Sequence, residues 1–383
     1  MTARAHQLLD LGQSVWLDFI RRGHLLDGGF DRDVREAGVV GVTSNPTIFQ
    51  QAIAGSRDYD TALAQGIAQG LEGEALFESL AIEDIRMACD RLLPLYESTG
   101  GRDGRVSLEV SPTLARDSAG TTAAAARLHA AVARPNVMIK IPATREGLPA
   151  ITATIAAGIS VNVTLIFTVQ RHREVMEAWL TGLERLAASG GDLASVRSVA
   201  SFFVSRVDSK VDAAIDQRLA TLPAGATERA ELEGLRGRAA VANARLAYEA
   251  FGEVVAGERY RALASRGAHP QRPLWASTST KNPSYRDVLY VEELVGPDTV
   301  NTMPPATLVA FNDHGVVESR ITRDVPGAHA VFARLTELGV PVTTLLDQLE
   351  PEGVTAFERS FADLLATLET RRRALVAGEG AAR

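Results

Sequence analysis

Chemistry in this chain gathers around one lysine. Only three of the 40 basic residues are lysines, Lys140, Lys210 and Lys281, and arginine serves wherever else a positive charge is used. An arginine keeps its proton in a protein, whereas an ammonium taken out of water is pushed toward the free, nucleophilic amine. Lys140 lies in NVMIKIPA, residues 136–143, between Ile139 and Ile141. That short apolar run, closed by Pro142, has the pattern of a strand covered on both faces. Most lysines are solvated charges, and a stem can cross a core while its head reaches water. Other polar residues, however, recur at the ends of successive apolar runs. They are Asp18 in SVWLDF, Asn45 in GVTSNPTIF, Glu109 in RVSLEV, Asn162 and Thr164 in ISVNVTLIF, and Ser201 and Arg206 in VASFFVSRVD. One polar residue in a strand is usually a satisfied core group; six consecutive strands ending this way point to a shared site.

The set suits carbonyl chemistry through a Schiff base. A desolvated amine attacks a ketone and loses water, and the resulting iminium takes up the electrons released when a neighbouring carbon–carbon bond breaks. Glu109 and Thr164 suit the holding of a catalytic water, and Asp18 the removal of a proton from the hydroxyl on the cleaved carbon.

Such a ring of side chains needs a frame that brings many strand ends together. Strands are expected at residues 14–19, 39–43, 105–110, 136–143, 159–167, 196–208, 273–277 and 300–303, each followed by helix, with no hairpin turn between any two. This pattern predicts an α/β fold, a single (β/α)8 barrel spanning residues 1–383, in which catalytic groups come from the carboxyl ends of the strands. A minimal barrel takes about 250 residues, which leaves room for extra helices at the N-terminus, after the sixth strand (residues 209–270) and at the C-terminus, where 354–377 reads as helix. A doubly wound open sheet is the alternative, but LDFIRRGH after the first strand is not a glycine-rich phosphate turn. Within the addition, residues 232–251 have three roles open to them: a cover for the barrel, a dimer contact or a lid. A homodimer is therefore among the expectations.

Composition narrows the function classes. A net charge of −7 argues against a nucleic-acid partner, while a local basic patch for a phosphorylated metabolite stays open. No run of about 18 apolar residues marks a membrane span, and MTARAHQLLDLGQSVW lacks the apolar core of a secretory signal. A single cysteine, Cys89, excludes an intrachain disulfide and points to a cytoplasmic protein. The seven histidines are scattered and there is no cysteine cluster, so no metal site is expected.

SVWLDF, GVTSNPTIF, VSLEVSP, NVMIKIPAT, VNVTLIF, SFFVSRVD and STSTKNP, in that order, make the chain resemble transaldolase over essentially its whole length, in the longer bacterial form within the class I Schiff-base aldolase superfamily. The resemblance implies a cofactor-free barrel acting on sugar phosphates. It would move a dihydroxyacetone unit from sedoheptulose 7-phosphate or fructose 6-phosphate to glyceraldehyde 3-phosphate or erythrose 4-phosphate in the pentose phosphate pathway. It implies Lys140 as the Schiff-base lysine, Asp18 as the acid/base on the cleaved bond, and Glu109 with Thr164 as holders of the water. Asn45, Asn162 and Ser201 match positions that bind dihydroxyacetone hydroxyls, and Arg206 a phosphate ligand. Many relatives have ADTGD where this chain has LDFIR, so the neighbourhood of Asp18 differs. Lys281 of STSTKN stands where shorter relatives carry a second phosphate-binding arginine. Relatives that cleave fructose 6-phosphate and release free dihydroxyacetone carry glutamine at the Glu109 position and tyrosine at that of Phe203, so Glu109 and Phe203 favour transfer. A barrel that only binds sugar phosphates, with Lys140 in a salt bridge, is the non-catalytic alternative.

Overall fold

The computed structural model describes residues 3–381, with side chains through Leu375. Eight strands form it: β1 Gln13–Leu17, β2 Gly41–Val42, β3 Arg105–Glu109, β4 Val137–Pro142, β5 Val161–Ile166, β6 Ser198–Phe203, β7 Gln271–Ala276 and β8 Thr299–Met303. They pair in chain order, all parallel, and β1 closes on β8 with Gln13 opposite Thr299 and Leu17 opposite Met303. This is the expected (β/α)8 barrel. Each strand is buried along almost its full length, because helices cover the outside and side chains fill the inside. The filling is tight at Gly41: a Cβ there would stand 2.6 Å from the Trp16 indole.

Several bounds differ from those expected. The sixth strand ends at Phe203, and the helix Ser205–Thr221 starts at once, so Arg206 lies in a first helical turn and not at a strand end. The reason is visible in Val207, Val211 and Ile215, all buried at four-residue spacing. The second strand is reduced to two residues by the Ser44–Asn45–Pro46 turn, where the Asn45 side chain accepts from the Ile48 amide and caps the helix Pro46–Ala54. Between β6 and β7 the chain forms four helices, Ser205–Thr221, Glu228–Leu235, Ala239–Ala256 and Glu258–Ala264. Ala239–Ala256 lies against the helices Val169–Ala188 and Val325–Glu337, with Ala242, Leu246 and Ala328 in one buried cluster. Among the described residues, no helix is long and apolar enough to cross a membrane.

The C-terminal helix Leu349–Ala381 begins earlier than expected and passes over the carboxyl ends of the strands. Phe361 meets Phe77 edge to face at 5.6 Å, and Phe77 meets Phe49 at 5.4 Å. Thr47 donates a 2.8 Å hydrogen bond to Ser360, and Arg171 pairs with Glu350 at 3.1 Å. Gly353 allows close approach to β5, since a Cβ there would lie 3.0 Å from Leu165.

Candidate active site

β3, β4 and β5 hold Glu109, Lys140 and Asn162 at one level, with Thr164 two residues further along β5. Glu109 is opposite Lys140 in the β3–β4 register, Lys140 opposite Asn162 and Pro142 opposite Thr164 in the β4–β5 register. Lys140 is 4% exposed, and its Nζ lies 3.1 Å from Glu109 Oε2 and donates to the Ser44 carbonyl at 3.2 Å. The Phe357 ring of the C-terminal helix lies beneath the ammonium, 5.8 Å from Nζ to its centroid. Burial pushes the Glu109 carboxyl above the ordinary carboxylate range, with Lys140 opposing and Asp18 adding to the rise. A raised carboxyl beside a buried amine is placed to exchange protons with it.

Asp18 follows β1 directly and accepts a 2.7 Å hydrogen bond from Thr43, whose hydroxyl also meets that of Thr302 at 2.6 Å. Burial raises the Asp18 carboxyl too, against the pull of Thr43, Lys140 and Lys281. Thr164 presents a buried hydroxyl with no hydrogen-bond partner among the described residues. Beside it Leu165 has φ +62°, rare for a residue with a branched side chain, and β5 carries one extra residue against β6 between Val163 and Ile166. The bulge shifts the alternation just past Thr164.

A cavity of about 330 Å³ opens over these groups. Asp18, Asn45, Lys140, Thr164, Ser201, Phe203, Arg206 and Lys281 all line it. Arg206 is half-buried and stacks on Phe203 at 5.3 Å; among the described residues its guanidinium has no hydrogen bond and no ion pair. Lys281 is exposed at the rim and bonded to Ser279 at 2.7 Å; burial of its ammonium, followed by Arg206, lowers its affinity for the proton, with Asp18 opposing. Two cations without carboxylate partners on one side of a cavity make a receptor for an anion. Two expected residues lie outside the cavity lining. Glu109 reaches Lys140 from a narrow crevice beside it, and Asn162 lies behind, donating to Ser107 at 3.0 Å and accepting from Ser201 at 2.7 Å. Asn162 thus orients Ser201 here. No cluster of three or more His, Cys, Asp or Glu among the described residues could hold a metal ion.

The family described as Transaldolase/Fructose-6-phosphate aldolase matches residues 15–368, from within β1 through β8 and most of the C-terminal helix. The chain belongs to that family. It is 53% identical to the protein named Transaldolase 1 of Streptomyces coelicolor over 96% of this chain and 94% of that one. It is 54% identical to the Transaldolase of Parafrankia sp. (93% and 95%), and 50% identical to that of Mycobacterium ulcerans (95% and 96%). Within this transaldolase/aldolase frame the residues that sequence reasoning missed are Thr43, Thr302 and Phe357. The two threonines had a signal, as polar residues closing β2 and β8; Phe357 had none beyond its place in an apolar helical stripe.

Proposed function

We infer that the protein is a transaldolase that carries a dihydroxyacetone unit between sugar phosphates on Lys140, a reaction of the pentose phosphate pathway. The observation that carries the reading is the buried Lys140 ammonium 3.1 Å from the raised Glu109 carboxyl, at a cavity that Lys140 lines together with Asp18 and with Arg206, which has no ion pair among the described residues.

In this reading Glu109 takes a proton from the Lys140 ammonium, and the free Nζ attacks the ketose carbonyl carbon, C2. The carbinolamine hydroxyl leaves as water with the proton returned from Glu109, and Thr164, whose hydroxyl is otherwise unpartnered, holds that water. Asp18 removes the proton from the C4 hydroxyl, the C3–C4 bond breaks, and its electron pair moves into the iminium to give an enamine. The shortened aldose departs. An acceptor aldehyde then takes the enamine carbon at its carbonyl carbon and the Asp18 proton at its oxygen, and water releases the new ketose from Lys140. Arg206 and Lys281 hold the phosphate, Ser201 and Asn45 the hydroxyls of the three-carbon unit, with Asn162 setting Ser201. Burial holds the carboxyls of Asp18 and Glu109 above the ordinary carboxylate range, which makes each a stronger proton acceptor than an exposed carboxylate. The single, buried Cys89 suits a reducing compartment, the cytoplasm.

The competing reading is cleavage with release of free dihydroxyacetone. Glu109 and Phe203, the latter packed 5.1 Å from Phe167 and under Arg206, favour transfer. A coupled assay decides it: fructose 6-phosphate with erythrose 4-phosphate yields product, and omission of the acceptor stops turnover. Sustained release of dihydroxyacetone without acceptor would make the protein an aldolase.

A further inference from the structure

The opposite, N-terminal mouth of the barrel holds a second cavity, of about 360 Å³, that shares no lining residue with the first. Its wall contains four arginines, Arg102, Arg105, Arg197 and Arg272, together with His269 and the edges of Trp16 and Met138. The carboxylates paired with this cluster are few. Arg102 meets Asp298 at 3.2 Å and Arg272 meets Asp103 at 3.3 Å, while Arg105 and Arg197 have no ion pair among the described residues. These two guanidiniums thus have no direct carboxylate partner: Arg105 lies over the Tyr96 ring at 5.1 Å, and Arg197 donates to backbone carbonyls, among them that of Gly100 at 2.8 Å.

Two of these residues also carry donors without acceptors. Arg105 is 1% exposed; its Nε donates to the Gly101 carbonyl at 2.8 Å and one terminal nitrogen to Ser160 at 3.1 Å, but Nη2 has no hydrogen-bond partner. Trp16 is fully buried, and its Nε1 has none either. A buried donor left without an acceptor is costly, and a buried unpaired guanidinium costs more. The local field is correspondingly positive. Burial lowers the His269 proton affinity, and Arg197, Arg105 and Arg102 lower it further. Arg105 and Arg197 are themselves pushed down by burial, with neighbouring arginines adding to the fall, and with Tyr96 opposing at both, Asp103 at Arg105 and Asp192 at Arg197.

We propose that this mouth is a binding site for a small phosphate-class dianion, separate from the reaction centre. Two charges match the two guanidiniums that lack an ion pair among the described residues, and guanidinium forks suit tetrahedral oxyanions through paired N–H···O bonds. The cavity has room for a phosphate ester with a small organic part, so the anion is either free phosphate or such an ester.

Calorimetric titration tests the site once the catalytic cavity is silenced. The Arg206→Ala/Lys281→Ala chain is titrated with inorganic phosphate and, separately, with glycerol phosphate. The expected result is one site per chain for at least one of the two probes. Tighter binding of glycerol phosphate identifies an ester site, and tighter binding of phosphate a free-anion site. Adding Arg102→Gln and Arg197→Gln, which lie at the exposed and half-buried margin, should weaken that binding at least tenfold. In the unsubstituted chain the same pair of glutamines should remove one of two phosphate sites and leave the other. Absence of binding to the silenced chain, or binding indifferent to both glutamines, overturns the proposal.

Discussion

At the scale of single residues, the division between proton-handling and charge-binding groups is set by environment. Asp18 and Glu109 are both carboxyls raised by burial, but Glu109 faces Lys140 and Asp18 is held by Thr43. Arg206 differs, because its charge is answered by no protein carboxylate within bonding distance among the described residues and its plane lies on Phe203. Removing it should therefore be felt only by substrates that bring the missing anion. Arg206→Ala is expected to raise KM for fructose 6-phosphate roughly a hundredfold, on the order of the 2–3 kcal/mol of a charge-assisted contact, while leaving unphosphorylated donors within about twofold. Steady-state kinetics on both donors checks this; equal losses would take Arg206 out of the phosphate site.

At the scale of elements, the site depends on how the C-terminal helix Leu349–Ala381 seats on β5. Gly353 is the contact point, and Phe357, one turn later, reaches Lys140. Gly353→Ile should push the helix off Leu165 and Phe167, at a cost of about 1–3 kcal/mol for overpacking, and lower kcat about tenfold through lost positioning. Kinetics and a thermal melt on the variant check both; unchanged kcat would show that the helix only covers the barrel.

This helix also marks where legibility ended. The strands could be read because apolar runs end at Pro, Gly or Asn, and the site residues because each interrupts such a run. The overrun at Arg206 arose because Val204 and Val207 satisfy both a strand and a helix pattern. Phe357 was illegible as a site residue, since helical spacing with Phe361, Leu364 and Leu368 reveals a buried face but not what that face covers. The bulge at Leu165 had no signal either, as leucine is not a residue that seeks positive φ.

At the scale of the whole molecule, the barrel is closed by ties that cross long stretches of sequence. Asp208, at the start of the helix after β6, accepts from the Ala240 amide at 2.7 Å and the Tyr290 hydroxyl at 2.8 Å, joining the helices of the β6–β7 connection to the segment before β8. Burial pushes this carboxyl up to about 6, with both hydrogen bonds opposing. The raised value means that the folded chain binds the proton more tightly than the unfolded one, so the charged group's cost appears as pH rises through about 6. The Tyr290 bond offsets part of that cost, and it is stronger while the carboxyl is charged. Tyr290→Phe should thus lower unfolding free energy by about 1–3 kcal/mol at pH 8 and by clearly less at pH 5, measured by denaturant titration at both. A larger loss at pH 5 would reverse the assignment.

The scarcity of lysine makes the central claim directly measurable across the whole chain. Incubation with fructose 6-phosphate and borohydride, followed by peptide mass analysis, reads every lysine at once, since the chain has three. A reduced substrate adduct is expected on Lys140 alone, with a folded but adduct-free Lys140→Arg chain. An adduct on Lys210 or Lys281, or turnover with no adduct on Lys140, would contradict that claim.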